Sequence, residues 1–497
     1  MQSTSLNKLV SLILILTMML GWQSCAVNPV TGKKQVSFIS EQQEIQMGQS
    51  YDPQVVAEFG LYENPAMQKF LEEKGMAMAK ISHRPNLPWN FKVVDSPVVN
   101  AFAVPGGFIY FTRGIMAHFN SEAQFAGVLG HEIGHVTARH TVQQQSKQTL
   151  AQIGLIGGMV LSPELARQGE SLMQGMQLLF LKFSRDAESQ SDELGVEYST
   201  SIGYDAREMS GFFGTLKRLS GGSENRVPTF LSTHPDPANR EVRVSQLAQA
   251  AQAKIAQAQS QQVKFTVGRD RYLRLIDGMI YGEDPKQGYV ENGAFYHPEL
   301  RFYFNIPRQW KLINSPTQVQ MVSPDQKSVM QMKLAQGTDT RAVAQQFVQD
   351  TKLQVTNSSD RAINGLQATT LLGDVVQQAQ QGQQGQTIRV LASFIAYGGN
   401  TYAILGMALP QDFNRYQRDI EGSIGSFAEL RDQSKLNRQP ERIKIVSASR
   451  TQTLQQALQG QGVPQNRHNE LAILNGMELS QSLPAGTLFK SVTGGSK

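Results

Sequence analysis

The sequence predicts an α+β multidomain protein: a mainly helical domain with a small edge β-hairpin or sheet, then an α/β domain, then a small βααβ module. Three observations carry that prediction. Residues 121–140 and 183–203 place apolar and polar side chains at helical spacing. Residues 98–113 and 388–409 are β-rich runs folded around glycine-containing turns. Residues 246–262 are almost all Gln and Ala and read as a polar helical linker, which ends the first domain. A chain of 497 residues is long enough for roughly two to four domains.

The content of 40% hydrophobic and 18% charged residues describes an ordinary globular chain. Net charge is +5, modest and spread along the sequence, which excludes the basic footprint of a nucleic-acid binder. It leaves a mild attraction to an anionic envelope surface. Cys25 is the only cysteine, so there is no intrachain disulfide. It follows Lys8 and an apolar run from Leu9 to Leu20, about twelve residues, too short for a membrane span and suited to a signal peptide over 1–24. The Ser24-Cys25 junction resembles a bacterial lipobox, although Trp22 and Gln23 fit that pattern poorly. Acyl chains on Cys25 would hold the protein to a membrane through a tether over 25–39. A plain signal peptide with an incidental cysteine is the alternative.

Helices are expected from Ser40 and over 65–81, and a strand at Phe91-Lys92-Val93-Val94. Residues 98–113 flank Pro105-Gly106-Gly107 as a hairpin does. If its first strand lies at a sheet edge, its backbone can take a substrate as an extra strand, with Asn100, Ala101 and Ala103 beside the cleft. A purely structural hairpin is the other reading.

Ser121 can cap the next helix, which carries His131-Glu132-Ile133-Gly134-His135. Two histidines four apart share one helix face and can bind one metal ion. Two neutral nitrogens and a carboxylate suit Zn²⁺, with a fourth position open for water. Glu132 lies about 100° round the helix and can reach that water without being a ligand. An H-E-x-x-H arises by chance in roughly one or two per cent of chains this long, so further residues must support it. His140, five past His135, points elsewhere and reads as structural or as a histidine standing behind the ligands. Residues 150–180 are rich in Leu, Gly and Met, and Ile153–Leu161 is too short to span a bilayer; a flap over the site or a core segment both fit.

Glu188 and Asp192 are four apart on a second helical run. Glu188 can complete a His₂Glu site. Asp192 can accept the free N–H of a ligating histidine. Arg185 can order Glu188. On spacing alone, a solvated charged face is the favoured reading of this run.

Residues 40–245 resemble the HtpX/CAAX-prenyl-protease-like family of gluzincin metallopeptidases, and within it the BepA-type envelope lipoprotein proteases. The matching pieces are Asn100 to Gly107, His131 to His135, Ser184-Arg185 with Glu188 and Asp192, and Ser232-Thr233-His234-Pro235 with Arg240. Ser191 stands where the family often has alanine. The resemblance implies a zincin-type catalytic domain with one Zn²⁺ per chain. It makes His131, His135 and Glu188 the ligands, Glu132 the general base, and Asp192 a support behind them. It places His234 near the active site, as hydrogen-bond donor to the oxyanion or as a ligand in a closed form. Arg240 can serve the same oxyanion. A loop-capping role for His234 remains the alternative.

Asp205 and Glu208 read as a capping box for a helix ended at Gly221-Gly222. Residues 263–435 alternate as an α/β domain. Strands are expected at 302–306 and 319–322, a helix at 338–353, a hairpin at 388–409, a closing helix at 412–427, and a low-complexity loop at 377–386. That domain shows no catalytic constellation and suits substrate or partner binding. Residues 440–493 resemble a degenerate LysM module through Thr453-Leu454, Asn469-Glu470-Leu471, Leu474-Asn475-Gly476 and Leu483 to Lys490. That implies glycan binding, peptidoglycan included; an α/β tail without that role is equally consistent.

The expectation is a zinc metalloendopeptidase of the bacterial cell envelope, lipid-anchored on the periplasmic face of the outer membrane. It would act on polypeptides, as in quality control of misfolded or stalled envelope proteins, and not on nucleic acid. The rivals are a latched protease serving as chaperone or assembly factor, and a peptidoglycan-binding scaffold.

Overall fold

The computed structural model describes residues 25–146, 182–221, 229–235, 240–259, 263–376 and 387–495. The expected signal peptide at 1–24, the flap within 150–180 and the loop at 377–386 lie outside the described residues. The chain forms two compact units, one of residues 1–56, 60–281 and 442–493, the other of 57–59, 282–441 and 494–497.

The first unit begins with a hairpin of β1 (Cys25–Val27) and β2 (Lys34–Val36). The tether expected over 25–39 thus contains a short hairpin. Asn28 closes the turn by accepting from the backbone of Val30 and Thr31, and its amide donates to Ala138 O. The polar turn residues that look like linker composition are therefore tied to the end of the histidine-bearing helix. Helix α1 (Glu41–Phe59) starts at a capping box of Ser40 and Gln43. Helix α2 (Pro65–Ile81) starts at Asn64, which accepts from Met67 N, with Pro65 in the first turn. Met67, Leu71, Gly75 and Met78 form its buried stripe.

Strands β3 (Asn90–Val94), β4 (Ala101–Val104) and β5 (Phe108–Thr112) make a sheet in the order β3-β5-β4. The pair β4–β5 is the expected antiparallel hairpin, and β4 is an edge. Helix α3 (Arg113–His118) leads into α4 (Glu122–Thr137), whose residues are all buried. Then follow α5 (Arg185–Ser201), α6 (Glu208–Ser220), α7 (Thr229–Thr233), α8 (Arg240–Gln259), α9 (Arg269–Leu275) and β6 (Ile280–Tyr281). The Asp205/Glu208 capping box does not form. Arg207 is the cap residue, and Asp205 is occupied by the guanidinium of Arg207 and the amide of Gln252.

The boundary expected at 246–262 also shifts, because Val244 and Ala248 on the Gln/Ala-rich helix are fully buried. Tyr272, Leu273 and Ile276 join the same core as Leu454, Leu471 and Phe489 from the C-terminal segment. There β18 (Glu441–Ser447) and β19 (Leu488–Gly494) form a sheet with β6. Lys490 is buried, its Nζ donating to Ala117 O, Phe119 O and Leu474 O. The segment resembling LysM is thus packed into the core of the first unit.

In the second unit, a seven-stranded antiparallel sheet has the order β10-β11-β12-β16-β15-β14-β13. It holds β10 (Lys311–Ser315), β11 (Gln318–Val322), β12 (Ser328–Ala335), β13 (Gln354–Ser359), β14 (Ala368–Val376), β15 (Thr387–Tyr397) and β16 (Asn400–Ala408). A smaller sheet holds β7 (Tyr289–Glu291), β8 (Ala294–His297), β9 (Phe302–Asn305) and β17 (Ala428–Glu429). Helices α10 (Thr340–Thr351) and α11 (Pro410–Gly425) complete it. The expected strands at 302–306 and 319–322, both helices and the 388–409 hairpin are present; β10 and β12 to β14 go beyond the expectation. No described helix is long and apolar enough to cross a membrane.

Candidate metal centre

Helices α4 and α5 cross at glycine. A Cβ on Gly130 would come 3.0 Å from Gly195 Cα, and one on Gly195 would come 2.9 Å from Gly127 O. That close approach carries Glu188 and Asp192, one turn apart on α5, to the histidine pair of α4. The Nε2 atoms of His131 and His135 are 3.0 Å apart. Glu188 completes the triangle, with Oε2 3.6 Å from His131 Nε2 and Oε1 3.4 Å from His135 Nε2. His234, just after α7, adds a fourth donor: ligand atoms of all four residues lie within 4.8 Å of one another, and all four are buried.

This donor set fits zinc. Ligand atoms each ~2.0–2.1 Å from a tetrahedral ion stand about 3.3 Å from one another, close to the three separations found. Among the described residues, neither oxygen of Glu132 accepts a hydrogen bond, His234 Nε2 makes none, and Glu188 has its ion pair with Arg240 but no hydrogen bond. Buried carboxylates with open lone pairs are costly unless a cation or donor meets them.

The electrostatics agree. Burial, with help from Arg240, holds His131 well below its usual range, and burial with His131 does the same for His135. Both rings stay neutral, as ligation requires. Burial pushes Glu188 up to about 7, against the pull of His234 and Arg240. Burial and then the neighbouring Glu188 raise Glu132 well above the usual carboxylate range, which suits a group that takes and returns a proton. His234 is brought down to about 3, chiefly by burial.

The supports are specific. His131 Nδ1 donates to Asp192 Oδ1 at 3.0 Å, which leaves its Nε2 lone pair facing the cluster. Arg240 grips Asp192 through Nε at 2.9 Å and a terminal nitrogen at 2.7 Å. Its other terminal nitrogen lies 3.2 Å from Glu188 Oε2. This differs from the oxyanion role expected of Arg240: its guanidinium is buried behind the ligands, 4.2 Å from the Phe213 ring. It also displaces Arg185 as the residue that orders Glu188, since Arg185 is exposed. His234 Nδ1 faces Phe230 O, its ring stacks on Phe230, and its Nε2 is 3.6 Å from Glu132 Oε1.

Strand β4 packs against α4. Thr112 N donates to Asn100 O, so antiparallel alternation turns the backbone groups of Ala101 and Ala103 to the edge away from β5. Asn100 itself is buried, and Phe230 N donates to Val99 O, tying the His234 segment to the start of β4. Cys25 opens β1, far in sequence from the cluster. Sequence reasoning missed Phe183, Phe213 and Phe230, which wall the site; isolated phenylalanines carry no spacing signal that could have found them.

Residues 65–248 match the model for Peptidase family M48. The chain is 34% identical over 181 residues to a mitochondrial metalloendopeptidase OMA1 of Arabidopsis thaliana, covering 36% of each. It is 28% identical over 220 residues to a beta-barrel assembly-enhancing protease of Escherichia coli, covering 43% of this chain and 45% of that one. A further relative is the OMA1 metalloendopeptidase of Schizosaccharomyces pombe, 25% identical over 46% of this chain and 67% of that one. The chain therefore spans less than half the length of the first two relatives.

Proposed function

We propose that the protein is a zinc-dependent endopeptidase of the bacterial cell envelope. The observation that carries this reading is the meeting of His131, His135 and Glu188, with Glu132 beside them, inside the stretch that matches Peptidase family M48. His131, His135 and Glu188 would hold a zinc ion there, which would supply an activated water and polarise a substrate carbonyl. Glu132 takes the proton of the attacking water and passes it to the leaving amine nitrogen as the peptide C–N bond breaks. Asp192 and Arg240 keep His131 and Glu188 oriented. Ala101 and Ala103 on β4 offer backbone partners to an extended polypeptide. The finer reading is a lipoprotein acylated at Cys25, on the periplasmic face of the outer membrane, acting on misfolded or stalled envelope proteins. Casein cleavage by the wild type and by Glu132→Gln tests the activity. Equal cleavage by both would remove the hydrolase reading.

The fourth donor supports a second reading: with zinc bound, His234 would take the position a catalytic site keeps for water, giving a closed resting form. His234→Ala is then expected to cleave casein faster. Slower cleavage would instead place His234 on the oxyanion, and unchanged cleavage would sink both. A protein that cleaves nothing until His234 is displaced would also suit a chaperone or assembly role. Sedimentation with purified peptidoglycan tests the scaffold reading of residues 440–493.

A further inference from the structure

The two ligating histidines are backed differently. His131 Nδ1 rests on the carboxylate of Asp192, whereas His135 Nδ1 faces an imidazole. That Nδ1 lies 3.1 Å from Nδ1 of His140, a buried histidine just beyond the end of α4. His140 Nε2 lies 2.9 Å from Gln190 Oε1, and Ser191 Oγ lies 3.2 Å from His140 Nδ1. Only one arrangement of protons satisfies these contacts. For His135 to present Nε2 to a metal, its proton must sit on Nδ1. That N–H needs an acceptor, so His140 Nδ1 must carry a lone pair. The His140 proton is then on Nε2, where an acceptor, the Gln190 carbonyl oxygen, awaits it.

We propose that His140 is a positioning residue for the metal centre: it fixes the tautomer and ring orientation of His135, and Gln190 in turn fixes the tautomer of His140. The relay rests on the reading of His135 as a metal ligand, and it deepens that reading by naming its support. Its geometry has a sequence basis. Arg139 adopts a left-handed φ of 60°, which breaks the helix after His135 and turns His140 back toward it. Arg139 is held there by Glu44 at 3.0 Å and by Ile39 O at 2.7 Å. Gln190 and Ser191 lie between Glu188 and Asp192 on α5. One helix thus supplies the third ligand, the support of His131 and the support of the His135 partner.

Zinc affinity of the purified full chain, measured by chelator competition, tests the proposal. Loss of such a support weakens binding by roughly 10–100-fold. His140→Phe, which keeps a ring but no acceptor, is expected to show that loss. His140→Asn places a carbonyl oxygen where Nδ1 stood and is expected to recover most of it. Gln190→Leu frees the His140 tautomer and is expected to fall between them. Nitrogen-15 shifts of the metal-free protein should show His135 as its Nδ1–H form in the wild type and in His140→Asn, and as a mixture in His140→Phe. Circular dichroism identifies any variant that fails to fold, and Gln190→Leu and the tautomer spectrum then carry the decision. Wild-type affinity in folded His140→Phe, or equal losses in His140→Asn and His140→Phe, would overturn the relay. Absence of zinc binding by the wild type would instead remove the metal reading beneath it.

Discussion

Among the described residues, the first unit buries whole ion pairs, while those of the second stay partly exposed. In the first, Glu44 is clamped by Arg84 and Arg139, Asp95 pairs with Arg113, and Arg240 sits between Glu188 and Asp192, all largely withdrawn from water. In the second, the buried polar groups are nearly all hydroxyls, such as Ser328, Thr340, Ser393 and Thr401. Its ion pairs, such as Arg389–Asp374 and Arg438–Glu291, stay partly exposed. Desolvating an ion pair often costs more than its attraction returns, so an apolar core is the cheaper way to hold a fold. The second unit takes that route. The first accepts the cost where a charge fixes the position of another group: Arg84 also donates to Val136 O on α4, and Arg240 lies 3.2 Å from His131 Nδ1.

The contrast can be broken or sharpened by substitution. The largest effect belongs to Glu132→Gln, expected to lower casein cleavage by about 10²–10⁴-fold while zinc content by atomic absorption stays near one per chain. Glu188→Ala is its complement. There the zinc content itself should fall well below one per chain, and unchanged stoichiometric zinc would remove the third ligand. Next comes Asp192→Asn, which leaves His131 Nδ1–H a weaker partner and Arg240 without its counter-charge. Zinc affinity should drop roughly 10–100-fold. Gly195→Ala should follow, since its Cβ would meet the backbone of α4 at 2.9 and 3.1 Å. A destabilisation of about 1–3 kcal/mol is expected in chemical denaturation, with weaker zinc binding as the helices part. Smallest is Asp374→Asn in the second unit. Removing that half-exposed pair should cost under about 1 kcal/mol and leave zinc affinity untouched. A large loss of zinc affinity there would break the contrast.

Lys490 sharpens it from another side. Burial drives its amine well below the usual lysine range, yet it meets three carbonyl oxygens around the start of α4. By sequence, that segment carries the landmarks of a LysM-like module. What the fold adds is that one of them, Lys490, is spent inside the core.

The sequence by itself determined the ligand helix. Spacing of four puts His131 and His135 on one face, and Ser121 starts the helix that presents them, because these are local properties of backbone geometry. It also determined the hairpin at 98–113, the helix at 65–81 and the 388–409 hairpin, each written in a short run of residues. Spacing alone could not tell Glu188 and Asp192 from a solvated face; only the crossing of two helices at Gly130 and Gly195 brings them to the histidines. Only the tertiary contacts show that Arg240 grips carboxylates, that His140 turns back to His135, that Asn28 ties the N-terminal hairpin to the end of α4, and that residues 442–493 join the first core. Those outcomes depend on contacts between residues tens to hundreds of positions apart, and periodicity carries no information about such contacts.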